Sequence, residues 1–207
     1  MQVKFRTFLP FISRVNFKEV DGRYQYTIRY CDIVICICYQ PPYTVHLHPN
    51  KGSGVASEAV YVLKGEYRSK LVPLNKSAQE VLKFNEQIIE KQNNIEYDVV
   101  IKEKEFKILD HRREIANMDT AGPEGAFMLH FNPIDETRRA EYQFIESSLV
   151  LKNDRARVFI TLEPGIFINN VEVPLLSRVV LHENTEYSIT CSDGGKAILV
   201  YTYDESA

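Results

Sequence analysis

The sequence predicts an all-β protein, a sandwich or jelly-roll barrel, with one helix. Many short segments of strand-forming residues follow one another at regular spacing, and turn residues separate them. One stretch, residues 77–93, has helical periodicity instead. Such a series of short strands is typical of sandwiches and barrels. With 207 residues, the chain is long enough for one large β domain or two small ones.

The first strands are the clearest. Residues 24–30 alternate apolar and polar side chains, which predicts a strand with one buried face. Residues 32–39 are apolar on both faces, which predicts a central strand that is covered on both sides. The prolines at 41–42 end this strand, and a further strand is expected at 43–48.

A hairpin and a helix follow. Residues 57–63 and 66–72 read as two strands that turn at Lys64-Gly65. Ser77 and Glu80 then form a capping box, in which both side chains bond free backbone amides at a helix start. The apolar face of the predicted helix contains Val81, Phe84, Ile88 and Ile89.

The remaining strands divide into two groups. A polar connector at 133–140 predicts a boundary, with a barrel over 1–133 and a second β-rich half over 134–207 that is either degenerate or completes the barrel. The other predicted strands are 96–101, 105–109, 126–132, 141–152, 156–162, 178–182, 186–191 and 196–203.

Composition limits the classes of partner. A net charge of −3 gives no electrostatic reason to expect nucleic acid, and no apolar run is long enough to span a membrane. The mildly basic N-terminus lacks a signal-peptide cleavage site, which disfavours a secretory signal. Strand-like residues begin at once, which disfavours an organelle-targeting peptide, so we expect a cytoplasmic protein. We expect a small-molecule ligand, and a homodimer stays open.

Four cysteines are present, and three of them lie close together at 31, 36 and 38. Cys36 and Cys38 share a strand face, so a soft-metal or redox site is conceivable. No second cysteine pair with zinc-like spacing accompanies them, which favours buried free thiols.

A pair of histidines is the strongest chemical motif. Because side chains alternate along a strand, His46 and His48 lie on one face about 6–7 Å apart, close enough to bind one metal ion. Glu58 can join them if its strand pairs beside theirs. Two histidines and one carboxylate leave positions open for water, substrate or dioxygen. The alternative is two exposed histidines beside a loop.

The other histidines differ in their surroundings. His111 follows a predicted strand in a polar loop, where its side chain could point into the mouth of a barrel, and it is the candidate fourth ligand. His130 alternates with apolar residues, which favours a hydrogen-bonded core histidine. His182 reads as an ordinary strand-end residue.

The run from His46 to Gly65 resembles the first motif of the cupins, G-x5-H-x-H-x3,4-E-x6-G. The HxH pair is intact, and Glu58 and Gly65 keep the E-x6-G spacing. Nine residues separate His48 from Glu58, and His111 is the tentative match to the family's second motif. The resemblance covers about residues 24–132 and extends weakly to a second, degenerate cupin-like half.

This resemblance implies a jelly-roll barrel with a ligand site at its mouth. It also implies a divalent metal ion, namely iron, manganese, nickel or zinc, bound by His46, His48, Glu58 and His111. Members of the family include oxygenases and isomerases as well as metal-free binding proteins, so the reaction is not specified.

The tyrosines suggest a polar ligand. Tyrosine hydroxyls over apolar rings suit a sugar or a small carbonyl acid, although tyrosine is also common in strands. We therefore predict a metal-dependent cupin-type enzyme that acts on a small polar metabolite. The alternatives are a metal-free cupin-like binding module and a structural β-protein that assembles through its sheet edges. The tyrosines near the motif are Tyr24, Tyr26, Tyr30, Tyr39, Tyr43, Tyr61 and Tyr67.

Overall fold

Antiparallel strands make up most of the protein, as the sequence predicts. The computed structural model describes residues 3–7, 18–20, 22–30, 33–48, 58–73, 77–90, 95–109, 115–133, 138–155 and 157–204. These residues form two compact units. The first contains the described residues between 16 and 139, and the second contains the N-terminal strand β1 (Phe5–Thr7) together with residues 140–203.

The first unit is built on one antiparallel sheet. Its hydrogen-bonded order is β2-β3-β4-β9-β6-β7, while β5 pairs with β9 and β8 pairs with β6. In the described part of the chain, this order does not close into a complete ring. The strands are β2 (Lys18–Val20), β3 (Arg23–Tyr30), β4 (Ile33–Gln40), β5 (His46–His48), β6 (Glu58–Pro73), β7 (Val99–Lys102), β8 (Phe106–Leu109) and β9 (Ile115–Pro133).

The central strand of this sheet is β4, which confirms the prediction for residues 32–39. It lies between β3 and β9. Ile35 and Ile37 are buried on one of its faces and Cys38 on the other. The Cys38 face meets side chains from β6, β7, β8 and β9 in one apolar cluster. The side chains of β3 and β9, which are not neighbours in the sheet, also meet on this face through Arg23 and Asp119, and we call it the inner face.

The predicted hairpin at Lys64-Gly65 is wrong, because residues 58–73 form the single strand β6. The pairing of β6 with β9 continues past this point with register shifts between Val62 and Lys64 and between Gly65 and Tyr67. Gly65 has φ +82°, a conformation that serves a β-bulge as well as a turn. A hairpin turn and a β-bulge have the same local sequence signal here. The bulge forms because β6 continues to pair with the long strand β9 on both sides of Gly65.

The predicted amphipathic helix is confirmed as α1 (Ser77–Ile89). Phe84 and Ile88 are buried and pack against Met118 of β9. Met118 precedes the inward-pointing Asp119, so the helix covers the outer face of the sheet. No helix in the described ranges is long and apolar enough to cross a membrane.

The second unit has two antiparallel sheets around one apolar core. Their orders are β1-β15-β12-β17-β10 and β11-β16-β13-β14. Strand β1 lies within residues 1–133 and yet pairs with β15, because local alternation does not specify a partner strand. The strands are β10 (Arg138–Ile145), β11 (Leu149–Asn153), β12 (Arg157–Thr161), β13 (Ile166–Ile168), β14 (Val171–Val173), β15 (Ser177–Leu181), β16 (Thr185–Cys191) and β17 (Ala197–Asp204).

Candidate functional site

A buried ion pair lies on the inner face of the first unit. Arg23 begins β3 and is 1% exposed, and Asp119 of β9 is 0% exposed. The Arg23 Nη2 atom lies 3.2 Å from Asp119 Oδ2 and donates to Gln40 Oε1 at 3.3 Å. Gln40 Nε2 in turn donates to the backbone oxygens of Asp119 and Thr44, at 2.9 Å each. The guanidinium and the carboxylate are thus fixed by a glutamine from a third strand.

Tyr67 extends this network across the inner face. Its hydroxyl donates to Asp119 Oδ1 at 2.6 Å. Its ring meets the His130 ring edge-on, with the ring centroids 6.0 Å apart. Burial raises the pKa of Tyr67 well above its usual value, and the carboxylates of Asp119 and Glu58 raise it further. Tyr67 therefore remains a phenol that donates its proton to Asp119.

A second buried group involves Glu58, His130 and Asn132. The His130 Nδ1 atom is hydrogen-bonded to Glu58 Oε1, and Asn132 Nδ2 donates to the same oxygen at 3.2 Å. Glu58 and His130 are both buried, so the prediction of a hydrogen-bonded core histidine is confirmed for His130. We call Arg23, Gln40, Glu58, Tyr67, Asp119, His130 and Asn132 the interior polar cluster.

The exposure of the inner face increases from one end to the other. In β3 it rises from the buried Arg23, through the half-buried Gln25, to the exposed Thr27 and Arg29. In β4 it rises in the same direction, because Gln40 is buried and Val34, at the other end, is half-buried. Asn132 pairs with Val34 and is also half-buried. We call the end of the inner face at Arg29, Val34 and Asn132 the open end.

The electrostatics of the cluster favour charged side chains inside the protein. Burial lowers the pKa of Arg23, but nearby Cys38, Asp119, Tyr67 and Glu58 outweigh this effect, so its pKa is raised overall. Arg23 therefore stays cationic although it is almost fully buried. A buried cation beside a carboxylate creates a strong local electric field on the inner face.

Of the predicted metal ligands, the structure describes two side chains. His46 is 5% exposed and lies directly opposite Asp119 in the β5–β9 ladder, on the inner face. Glu58 also lies on the inner face, where its Oε1 atom is engaged by His130 and Asn132. The side chain of His48 and all of His111 lie outside the described residues. Metal binding by this set stays a prediction.

The described side chains do not complete a metal site by themselves. Among them, no three histidines, cysteines, aspartates or glutamates are grouped so that they could hold an ion. The predicted set would therefore depend on His48 and His111.

Three of the tyrosines near the motif are exposed, as tyrosines in surface strands often are. Tyr24, Tyr39 and Tyr43 are 40%, 38% and 40% exposed, and Tyr24 stacks on Tyr39 at 6.4 Å between ring centroids. In β3 the polar residues face inward, and Tyr24, next to Arg23, faces outward. Tyr67 is the tyrosine that contributes to the interior polar cluster.

Sequence reasoning missed Arg23, Gln40, Asp119 and Asn132 as site residues. One usable signal was present in β4, where Cys36, Cys38 and Gln40 share a face of a strand whose other residues are isoleucine, valine and one tyrosine. Asp119 carried no signal, because it stands in a segment that lacks a clear strand pattern.

The comparisons with known proteins identify the fold. No protein-family model and no curated protein sequence matches the chain. Similar solved structures include HutD from Pseudomonas fluorescens (TM-score 0.63, 8% identity, covering 99% of this chain and 100% of that one). The bacterial pirin YhhW from Escherichia coli, in complex with nickel(II), has a TM-score of 0.58 at 9% identity, covering 96% and 98%.

A third similar structure is a Cupin 2 conserved barrel domain protein from Leptotrichia buccalis. It has a TM-score of 0.50 at 9% identity, covering 99% of this chain and 98% of that one. Identities this low show the fold alone. The chain therefore has the all-β, jelly-roll fold of cupin proteins.

Proposed function

We propose that the inner face of the first unit binds a small polar metabolite, such as a sugar or a small carbonyl or carboxylic acid. The interior polar cluster is the observation that carries this proposal. Removing an ion from water costs several kcal/mol, and apolar residues of similar size often stabilise a core as well as a buried ion pair. Ionisable groups that a protein keeps in a concave interior are therefore functional-site candidates.

The open end supplies groups that would contact such a ligand. Asn132 is half-buried and donates its amide hydrogen to Glu58, so its Oδ1 atom can accept from a ligand hydroxyl. Arg29 is exposed on the same face and would attract a carboxylate or a carbonyl oxygen. The Glu58–His130 pair behind them would fix the orientation of the bound molecule, since both side chains are buried and bonded to each other.

Thermal unfolding in the presence of a panel of sugars and small carbonyl acids tests this proposal. A ligand of the inner face is expected to raise the unfolding temperature of the wild type. Replacing Arg29 with alanine should lower the affinity for an acidic ligand by about tenfold or more, because one charge-assisted hydrogen bond is lost. Lys152→Ala, which removes an exposed cation of the second unit, is the matched control.

Two results would overturn the proposal. One is that no compound in the panel stabilises the wild type. The other is that Arg29→Ala and Asn132→Ala each bind the stabilising compound as tightly as Lys152→Ala does.

A second candidate function, a metal-dependent enzyme of the cupin type, is supported by the position of His46. This histidine is buried on the inner face and belongs to the HxH pair. In this proposal His46, His48, Glu58 and His111 hold a divalent ion of iron, manganese, nickel or zinc. Such an ion would act as a Lewis acid on a substrate oxygen. The chain's own contribution is the buried polar surface that orients the substrate.

Elemental analysis of the purified protein tests the metal proposal. We expect close to one equivalent of a divalent transition metal in the wild type and its loss in the His46→Ala, His48→Ala double variant. The variant His182→Ala, in an exposed position of the second unit, should keep its metal. A wild type that stays metal-free after growth and purification with each of the four metals would contradict the metal proposal. It would not affect the proposal that the inner face binds a small polar metabolite.

A further inference from the structure

Two thiols lie in contact on the inner face, and nothing described so far uses them. Cys36 and Cys38 are two positions apart in β4, so their side chains point to the same side. The two Sγ atoms are 3.3 Å apart, and Cys38 donates to Cys36. Cys38 is fully buried, whereas Cys36 is half-buried and lies two residues nearer the open end of the inner face.

The surroundings of Cys36 are polar. Its thiol lies 3.5 Å from Gln25 Oε1, to which it donates, and 3.6 Å from the Thr27 hydroxyl. In the β4–β9 ladder it stands directly opposite His130. The Thr27 hydroxyl and His130 can stabilise negative charge on the sulfur, and Gln25 orients it while it carries its proton.

The two thiols differ in acidity. The hydrogen bond from Cys38 lowers the pKa of Cys36 to about 6, with help from Thr27, His130 and Arg23 against the opposing effect of burial. The same contact and burial raise the pKa of Cys38 well above its usual value. Cys36 is therefore the more acidic thiol of the pair, and Cys38 keeps its proton at neutral pH.

We propose that Cys36 and Cys38 form an oxidant-reactive dithiol, in which Cys36 reacts with a hydroperoxide and Cys38 resolves the product. The Cys36 sulfur attacks the terminal oxygen of the hydroperoxide, the O–O bond breaks, and an alcohol leaves after taking up a proton. Cys36 is then a sulfenic acid. The Cys38 sulfur attacks the Cys36 sulfur, the S–O bond breaks, and the hydroxide leaves as water with the Cys38 proton. Two thiols are oxidised to one disulfide, and the hydroperoxide is reduced to alcohol and water.

The disulfide formed in this way is expected to be reversible. Residues two apart in an extended strand have Cα atoms separated by about 6.6 Å, near the upper end of the range that a disulfide spans. Their Cβ atoms, which point to the same side, are also farther apart than the roughly 4 Å of a disulfide, so β4 must bend locally for the bond to form. Such a bond is strained and easily reduced by a small thiol such as glutathione. The pair would thus cycle between dithiol and disulfide. This reactivity does not depend on the ligand binding proposed above.

Site-resolved mass spectrometry of the intact, reduced protein tests the proposal. After treatment with a small excess of hydrogen peroxide, the wild type should lose two hydrogens from the peptide that contains both cysteines. In Cys38→Ser, which keeps a hydrogen-bond donor beside Cys36, a sulfenic acid should accumulate at Cys36 and react with dimedone. In Cys36→Ala, Cys38 should stay a thiol. The control Cys191→Ala should behave as the wild type, since burial raises the pKa of Cys191 and leaves it a poor nucleophile.

The wild type alone also gives a decisive result if a variant does not fold. Iodoacetamide should label Cys36 several-fold faster than Cys191 at neutral pH. Equal labelling of these two cysteines would overturn the proposal. So would a peroxide-induced disulfide that links Cys36 to Cys31, to Cys191 or to a second chain instead of Cys38.

Discussion

Replacing Asp119 with alanine is expected to lower the free energy of unfolding by about 3–5 kcal/mol, the cost of removing one partner of a buried ion pair. Asp119 accepts from both Arg23 and Tyr67, and all three side chains are almost fully buried. The variant would keep the buried guanidinium and phenol while removing the carboxylate that they share. Denaturant unfolding followed by circular dichroism measures the loss.

A compensating variant separates this effect from a simple loss of packing. Arg23→Met, Tyr67→Phe and Asp119→Leu together remove the charged and hydroxyl groups and keep the volume similar, so most of the stability should return. Because the triple variant keeps the packing and leaves Arg29, Asn132 and Glu58 unchanged, it should fold and still present the groups of the open end. A loss below about 1 kcal/mol for Asp119→Ala would contradict the description of a tightly coupled buried group.

Gly65→Ala is expected to lower the free energy of unfolding by about 3 kcal/mol or more, because backbone strain combines with a steric clash. Gly65 has φ +82°, and a Cβ atom there would lie 2.1 Å from the carbonyl oxygen of Gly125 on β9. The bulges around Gly65 carry β6 past β9, so relieving the clash would disturb the pairing of the two longest strands. Thermal and denaturant unfolding both report the change.

Gly194→Ala provides the matched control. Gly194 has φ +77°, but a Cβ atom there would meet nothing within 4 Å. Its substitution should cost only the strain of the left-handed conformation, about 1 kcal/mol. If the two variants lost the same unfolding free energy, the close approach between Gly65 and Gly125 would not contribute to stability. That result would contradict the interpretation of Gly65 as a bulge that needs a residue without a Cβ atom.

The parts of the fold that follow from local periodicity were predictable. The doubly apolar pattern of residues 32–39 predicted a central strand, and β4 is one. The capping box at Ser77 and Glu80 predicted the start of α1. The HxH spacing placed His46 on a shared strand face, and His46 is buried on the inner face. Each of these features depends on residues within a few positions of one another.

The parts that depend on long-range pairing were not predictable. His130 and Glu58 are 72 positions apart, and only the β6–β9 pairing brings them together. A bulge shifts which side chains face inward, so an alternation pattern that is correct before Gly65 is misleading after it. Asp119 and Arg23 are 96 positions apart, so local alternation carries no indication that they meet.

The central claim is that the inner face of the first unit binds a small polar metabolite. The most direct test is a crystal structure of the protein soaked with the compound that most strongly raises its unfolding temperature. We expect difference density at the open end, within hydrogen-bond distance of Asn132 and Arg29 and in front of the Glu58–His130 pair. Density on the exposed Tyr24–Tyr39 face instead, with an empty inner face, would contradict the claim.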